Sequence, residues 1–343
     1  MLILGIETSC DETSASVVRD GVNILSNEIA SSLDLHKKYG GIVPEIACRY
    51  HLECINYVIK EGLDAAKTEF NEIGLIAVTY GPGLTGALLI GISIAKALSY
   101  SLSIPLIGVN HLYAHIYSAM MNDIEIKFPC VGLVVSGGHT VLVSVLGYNN
   151  VKLLGQTRDD ACGEAFDKAA KVLKLGFPGG PVIEKEAEKG NPHAIDFPRA
   201  YLEKGSFDFS FSGVKTALLY YVRDADLQLT TYNLQLHDVC ASFQKAIFDV
   251  IVDKAISACI QEKLKQLLVG GGVSTNKVLQ AMLKDRAKAE GIEVLFPKNA
   301  LCTDNAAMVA GAGYRLYKEG VCSDYSLDAE PNLGLGYCSR DQQ

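Results

Sequence analysis

Two histidines, His111 and His115, stand four residues apart in Ile104–Met120 (IPLIGVNHLYAHIYSAM), directly after a short apolar run. If Asn110 caps a helix that begins there, both imidazoles project from one face, the spacing that presents two nitrogen ligands to a single metal ion. Pro105 marks the entry to a strand before them. Such a pair is common by chance, so the rest of the chain must supply the remaining donors. A third candidate lies in Leu295–Gly313 (LFPKNALCTDNAAMVAGAG), where Thr303 or Asp304 can cap a helix of small residues. Capping is the ordinary role for Asp304. The alternative is a set of two histidines and one carboxylate, which leaves coordination positions open as Fe(II) and catalytic Zn(II) sites do.

The chain opens with Leu2–Ile6 as a strand, Glu7–Thr13 (ETSCDET) as a polar turn and Ser14–Val18 as a returning strand. The tip carries Thr8, Ser9, Asp11, Glu12 and Thr13: hydroxyls and backbone N–H groups that suit phosphate, and carboxylates that suit a cation or a proton. By itself it is an ordinary hydrophilic turn. The pattern recurs, with strand Val131–Val135, turn Ser136–Thr140 (SGGHT) and strand Val141–Leu146. Two strand–turn–strand units predict a duplicated α/β core whose turns face a cleft, and Gly137 and Gly138 there let a backbone approach a ligand closely.

Apolar strands alternating with helical periodicity position these turns and predict a mixed or largely parallel sheet. Pro44–Lys67 reads as a helix, Ile73–Thr79 as a buried strand, Tyr80–Thr85 as a glycine-rich turn and Gly86–Tyr100 as a helix. Asp159–Leu173 places Asp167 and Lys168 on a further helix. Gly176–Glu186 brings glycines up to a helix start with Pro181 in its first turn, an arrangement suited to an anion or a ribose but also to a plain connection. Leu267–Leu283 (LLVGGGVSTNKVLQAML) runs strand, three glycines, polar residues, helix. It is neither a dinucleotide fingerprint nor a P-loop.

At 343 residues, 49% hydrophobic and 20% charged, the chain has enough apolar content for two linked lobes. A net charge of −8 argues against non-specific coating of nucleic acid, so any polynucleotide contact is local or shared with a partner. The 10 cysteines run from Cys10 to Cys338 without a CxxC pair, which predicts buried free thiols and a reducing compartment. Early acidic residues exclude a signal peptide, and Lys96, glycines and Pro105 break Leu84–Val109 into a buried helix and a strand rather than a membrane span. The expected location is the cytoplasm, with no membrane contact.

Read in order, GIETSCDETS, HLYAH, VSGGHT, DDACGEAFDK, GFPGGP, FSFSGVKT, GGGVSTN and CTDNAAM cover nearly the whole chain. As a set they resemble the tRNA threonylcarbamoyladenosine transferase family of the bacterial TsaD type, formerly described as O-sialoglycoprotein endopeptidases. The resemblance implies a two-lobed actin-like ATPase (ASKHA) fold with a duplicated RNase H-like core, divided as residues 1–128 and 129–343, the C-terminal helix returning to the first lobe. It implies His111, His115 and Asp304 as ligands of one divalent metal per subunit, Fe(II) favoured and Zn(II) possible. Substrate positions fall on Val134, Val135, Ser136, Gly137, Gly138, Asp167, Gly180, Glu184 and Asn276, with Glu184 standing where the family often has aspartate. Ser9, His139, Gly271 and Gly272 join them from the polar and glycine turns.

The implied donor is threonylcarbamoyl-AMP, the acceptor N6 of the tRNA adenosine 3′ of the anticodon, and the implied partners are a degenerate paralogue (TsaB type) and a small P-loop ATPase (TsaE type). ATP, ADP or AMP, with accompanying Mg(II), are expected at the same nucleotide positions. Because the donor already carries AMP as a good leaving group, the protein's work is positioning and charge stabilisation. The first hairpin's hydroxyls and N–H groups are candidates for the departing phosphate. Asp11 or Glu12 is the candidate acceptor of the N6 proton, or else orients a cation or a water. Two other classes compete. A zincin protease needs glutamate directly after the first histidine, and here Leu112 occupies that place. A sugar kinase, acetate kinase or chaperone-type ATPase of this fold needs no histidine pair.

Overall fold

The computed structural model describes the chain apart from residues 123, 225–231 and 336–343. Contacts divide it into unit 1, Met1–Phe128 with Val145–Lys152 and Phe296–Gln343, and unit 2, Pro129–Ser144 with Leu153–Leu295.

Unit 1 is built on strands β1 (Leu2–Glu7), β2 (Glu12–Arg19), β3 (Asn23–Ile24), β4 (Glu28–Ser31), β5 (Ile73–Gly81) and β6 (Leu106–Asn110). The sheet order is β3-β2-β1-β5-β6, with β4 also beside β2. β1 and β2 are antiparallel and pair Glu7 with Ser14, while β5 and then β6 add in parallel. Strands covered on both faces need continuous apolar sequence, and β1 and β5 have it. The helices are α1 (Leu33–His36), α2 (Pro44–Ala66), α3 (Thr85–Leu102) and α4 (His111–Ser118). Ile55, Ile59 and Leu63 of α2 and Leu88, Ile92 and Ala95 of α3 form one core with Leu4, Ile6, Ile76 and Val78 of the sheet. Among the described residues α3 is the one helix long and apolar enough to span a membrane. Here its Ala87, Leu88, Gly91, Ile92 and Ala95 are buried, but two thirds of the helix is not, so the segment expected to be a buried helix is buried on one face only. Because β1, β5 and β6 are parallel, their carboxyl ends share one sheet edge, which gathers Glu7, Thr79 and His111 there.

Unit 2 carries β7 (Cys130–Val135), β8 (Thr140–Gly147), β9 (Asn150–Gln156), β10 (Gln266–Gly270) and β11 (Glu293–Leu295), in the order β11-β10-β7-β8-β9; the β8–β9 tip, Val145–Lys152, groups with unit 1. Its helices are α5 (Cys162–Val172), α6 (Gly179–Ala187), α7 (Ser212–Asp224), α8 (Tyr232–Gln261) and α9 (Lys277–Ala289). Phe166, Phe243 and Phe248 meet edge-on or tilted in the helical layer.

The chain then re-enters unit 1 as α10 (Ala306–Lys318), packed on β1, β2, β5 and α4. Phe296–Gln343, counted above with the second lobe apart from its returning helix, groups with unit 1. The approach is close enough to require missing side chains. A Cβ on Gly5 would lie 2.3 Å from the Ala306 carbonyl oxygen, and one on Gly313 would lie 2.5 Å from the Ala77 Cβ.

Two local expectations need correction. Glu7 ends β1 and Glu12 and Thr13 begin β2, so the hairpin tip is shorter than the polar string suggested, and Glu7, Thr8, Ser9, Asp11 and Thr13 are buried rather than solvated. The nine described cysteines are free, but only Cys130, Cys162, Cys240, Cys259 and Cys302 are buried; Cys322 is exposed, and Cys338 lies outside the described residues.

Candidate metal centre

Asn110 ends β6 and caps α4: its Oδ1 accepts the amides of Leu112 (2.9 Å) and Tyr113 (3.1 Å), while its Nδ2 donates to the Gly334 carbonyl. That cap sets where the first helical turn begins and so puts His111 and His115 on one face, their rings edge-on with centroids 4.6 Å apart. All eight residues of α4 are buried. Asp304 arrives from the segment before α10. Contrary to the expectation for Thr303 or Asp304, the cap of α10 is Asn305, whose Oδ1 accepts from the Met308 amide. The amides of Ala306 and Ala307 are satisfied by Ser14 Oγ and Asn27 Oδ1. Asp304 is thereby released from capping and turns to the histidines. Its Oδ1 lies 3.0 Å from His115 Nε2 and 3.6 Å from His111 Nε2.

One donor atom from each of the three residues falls within 4.8 Å of the others. Two imidazole nitrogens and a carboxylate oxygen at these separations suit a single ion with ligand bonds of about 2.0–2.2 Å, and the donor chemistry fits Zn(II) or Fe(II) rather than Mg(II) or Ca(II). Burial holds the His115 pKa below its ordinary value although the hydrogen bond to Asp304 pulls the other way. Burial also opposes charge on His111, but the carboxylates of Asp304 and Glu7 overcome it and raise that pKa to about 9.

Glu7 is a participant that the sequence concealed. Wholly buried, it receives the Ser9 amide on Oε1 (2.6 Å) and the Thr79 hydroxyl on Oε2 (2.6 Å), and Oε2 is 3.1 Å from His111 Nδ1. Burial disfavours its charge, yet His111 and Thr79 hold its pKa below the usual carboxylate value. The only local signal was an acid placed directly behind the apolar run Leu2–Ile6.

The hydroxyls expected to greet a phosphate are engaged inside unit 1. Thr8 donates to the Ala87 carbonyl, Ser9 Oγ is 3.2 Å from His111 Nδ1, and Thr13 Oγ1 is 2.7 Å from His51 Nδ1. His51 also reaches the Cys10 carbonyl at 3.0 Å, so one buried imidazole braces both ends of the Asp11–Glu12 step. Burial, then the charges of Asp11 and Asp304, push the Glu12 carboxyl up to about 10; the Ser31 hydroxyl donates to it.

In unit 2 the expected substrate residues form a connected set. Gly163 and Glu164, at the start of α5, donate their amides to the Ser136 and Gly137 carbonyls. Asp167 accepts the Gly179 amide (2.6 Å), one residue before Gly180, and Glu184 accepts the Lys277 amide (2.9 Å) beside Asn276. Gly271, at φ +90°, passes so close to Val135 that a Cβ would lie 2.4 Å from its carbonyl oxygen. By contrast a Cβ on Gly137, Gly138 or Gly180 would meet nothing within 4 Å, which leaves backbone open to a ligand. Val134 and Val135 bury their side chains in β7 and can offer only backbone. Ser136 Oγ accepts the His139 amide at 3.1 Å. Asn276 carries structural duty: it caps α9 through the Val278 and Leu279 amides and donates to Gln244. Gly272 opens the short 3₁₀ turn before that cap.

The family described as TsaD, tRNA N6-adenosine threonylcarbamoyltransferase, matches residues 23–311. Proteins of that name from Clostridium beijerinckii and Symbiobacterium thermophilum are 50% and 51% identical over 335 and 336 residues, covering 98% of this chain and 98% and 97% of theirs. Among solved structures, nucleotide-bound full-length HypF aligns at a TM-score of 0.60 with 13% identity, over 93% of this chain and 46% of its own. Component A of the Acidaminococcus fermentans (R)-2-hydroxyglutaryl-CoA dehydratase aligns at 0.55 with 13% identity, over 92% and 98%. At that identity the likeness speaks for fold alone, and the fold is the actin-like ATPase (ASKHA) architecture.

Proposed function

The chain belongs to the tRNA N6-adenosine threonylcarbamoyltransferase family, and from that premise we propose that it moves the threonylcarbamoyl group of threonylcarbamoyl-AMP to N6 of the adenosine 3′ of the anticodon, releasing AMP. The observation that carries this reading is half identity over nearly the full length, joined to a cluster of His111, His115 and Asp304 that a kinase of this fold has no need of. In this reading the three residues hold one Fe(II), or alternatively Zn(II). Such an ion supplies Lewis-acid polarisation of the donor's oxygens when bound.

The chain's own residues do the rest. The open backbone of Gly137, Gly138 and Gly180, with Asp167, Glu184, Gly271, Gly272 and Asn276, receives the adenylate, and Mg(II) would accompany a bound nucleotide. Asp11 or Glu12, side by side where the first hairpin turns into β2, accepts the N6 proton. Ser9, fixed between Glu7 and His111, orients rather than reacts.

A net charge of −8 matches an RNA acceptor poorly, so partners share the binding of tRNA. Leu52 of α2 and Leu89 of α3 are exposed beside Ile90 and Ile94, an apolar face suited to the degenerate paralogous subunit of TsaB type. A small P-loop ATPase of TsaE type completes the set, and the work is cytoplasmic. The test is direct: with those partners, threonylcarbamoyl-AMP and unmodified tRNA, mass spectrometry of digested tRNA shows the threonylcarbamoyl mass gain at the adenosine beside the anticodon. No gain, where a known family member succeeds in the same assay, refutes the reading.

A further inference from the structure

We propose that Glu7 is the positioning residue of the metal centre: its carboxylate accepts the Nδ1–H of His111 and so fixes the tautomer that leaves Nε2 to the metal. The inference rests on reading His111, His115 and Asp304 as ligands. A neutral imidazole carries one proton, and the nitrogen that binds an ion must be the bare one. In that reading His111 Nε2, which faces Asp304 at 3.6 Å, is the nitrogen given to the ion; the one proton the neutral ring keeps is then on Nδ1 and needs an acceptor there. Glu7 Oε2 supplies it at 3.1 Å.

The alternative acceptor is Ser9 Oγ at 3.2 Å from the same nitrogen, but a hydroxyl can donate as readily as accept and so selects no tautomer. A carboxylate selects one. Glu7 is also fixed in place, with the Ser9 amide on one oxygen and the Thr79 hydroxyl on the other, both at 2.6 Å, and with no exposed surface. A buried carboxylate is an expensive way to join two strand ends that apolar residues would join as well. The contact to His111 gives it a purpose.

The experiment compares Zn(II) affinity by chelator competition, and the absorption spectrum of the Co(II)-loaded protein, in wild type, Glu7→Gln, Thr79→Val and His111→Ala. Glu7→Gln is expected to weaken Zn(II) about 10–100-fold and to alter the Co(II) spectrum. Thr79→Val removes a Glu7 hydrogen bond without touching His111, and is expected to lower the melting temperature while leaving metal affinity within about threefold of wild type. If Glu7→Gln melts lower but binds Zn(II) as wild type does, Glu7 is structural and the proposal falls. If His111→Ala binds Zn(II) as wild type does, the ligand reading itself has failed and takes this proposal with it. Should Glu7→Gln not fold, long-range ¹H–¹⁵N spectra of the Zn(II)-loaded wild type decide: His111 must be protonated on Nδ1, and a proton on Nε2 overturns the proposal.

Discussion

His115 Nε2 and Asp304 Oδ1 stand 3.0 Å apart although 189 residues of chain separate them. Three side chains from two distant stretches of sequence therefore converge on one point of unit 1, and neither stretch supplies all three.

His111→Ala and Asp304→Ala should each abolish stoichiometric metal binding and transferase activity together. Circular dichroism should report an unchanged fold, since α4 and α10 keep their Asn110 and Asn305 caps. Full metal occupancy in both variants, measured by elemental analysis of protein purified without a chelator or histidine tag, would remove the assignment.

Gly5→Ala should disturb the centre from a distance. The added methyl would fall 2.3 Å from the Ala306 carbonyl oxygen, so α10 must retreat and take Asp304 with it. The expected cost is about 1–3 kcal/mol of stability, accompanied by weaker metal retention. A chemical-denaturation curve and metal content superimposable on wild type would contradict the packing described.

Asn276→Ala combines two effects that a second variant separates. Losing the α9 cap should cost about 1 kcal/mol, and Asn276→Asp should restore it, because an aspartate also accepts from Val278 and Leu279. If Asn276 also serves the adenylate, calorimetry should show AMP binding weakened in both variants. Affinity that follows stability alone would confine this residue to capping.

Asp160 gives a pH test within unit 2. Burial disfavours its charge, but Lys168 at 2.5 Å and Lys215 at 2.7 Å hold its pKa below the ordinary 3.8. A depressed carboxyl contributes stability above its unfolded pKa and loses it as pH falls through the folded one. Asp160→Asn should therefore cost about 1 kcal/mol at pH 7, discounted for the partly exposed lysines, and progressively less as pH falls below the ordinary carboxylate range. A pH-independent difference would mean that packing, not charge, holds the loop.

What was legible in the sequence followed from local rules. The histidine pair could be placed because a strand, a capping asparagine and a helix succeed one another within a dozen residues. The glycine turns announced backbone that must approach something. Asp304 was legible as a candidate third ligand but shared the capping role with Thr303, while the residue that does cap, Asn305, was not singled out. The choice among them is made by Ser14 and Asn27, which accept the next two amides from hundreds of residues away in the chain. Glu7 was hidden for a related reason. In ETSCDET it reads as the edge of a hydrophilic turn, and its burial arises only when Thr79, His111 and Ser9 close around it.

The discontinuity of unit 1 also sets an order of events during synthesis. A ribosome releases His111 and His115 with the first 128 residues, then must make the whole of unit 2 before Asp304 leaves the exit tunnel. A nascent chain therefore carries a two-ligand site for about half of its translation, and any prematurely terminated product keeps it that way. Under the ligand assignment proposed above, the complete set of three donors exists only once the chain has been made past residue 304.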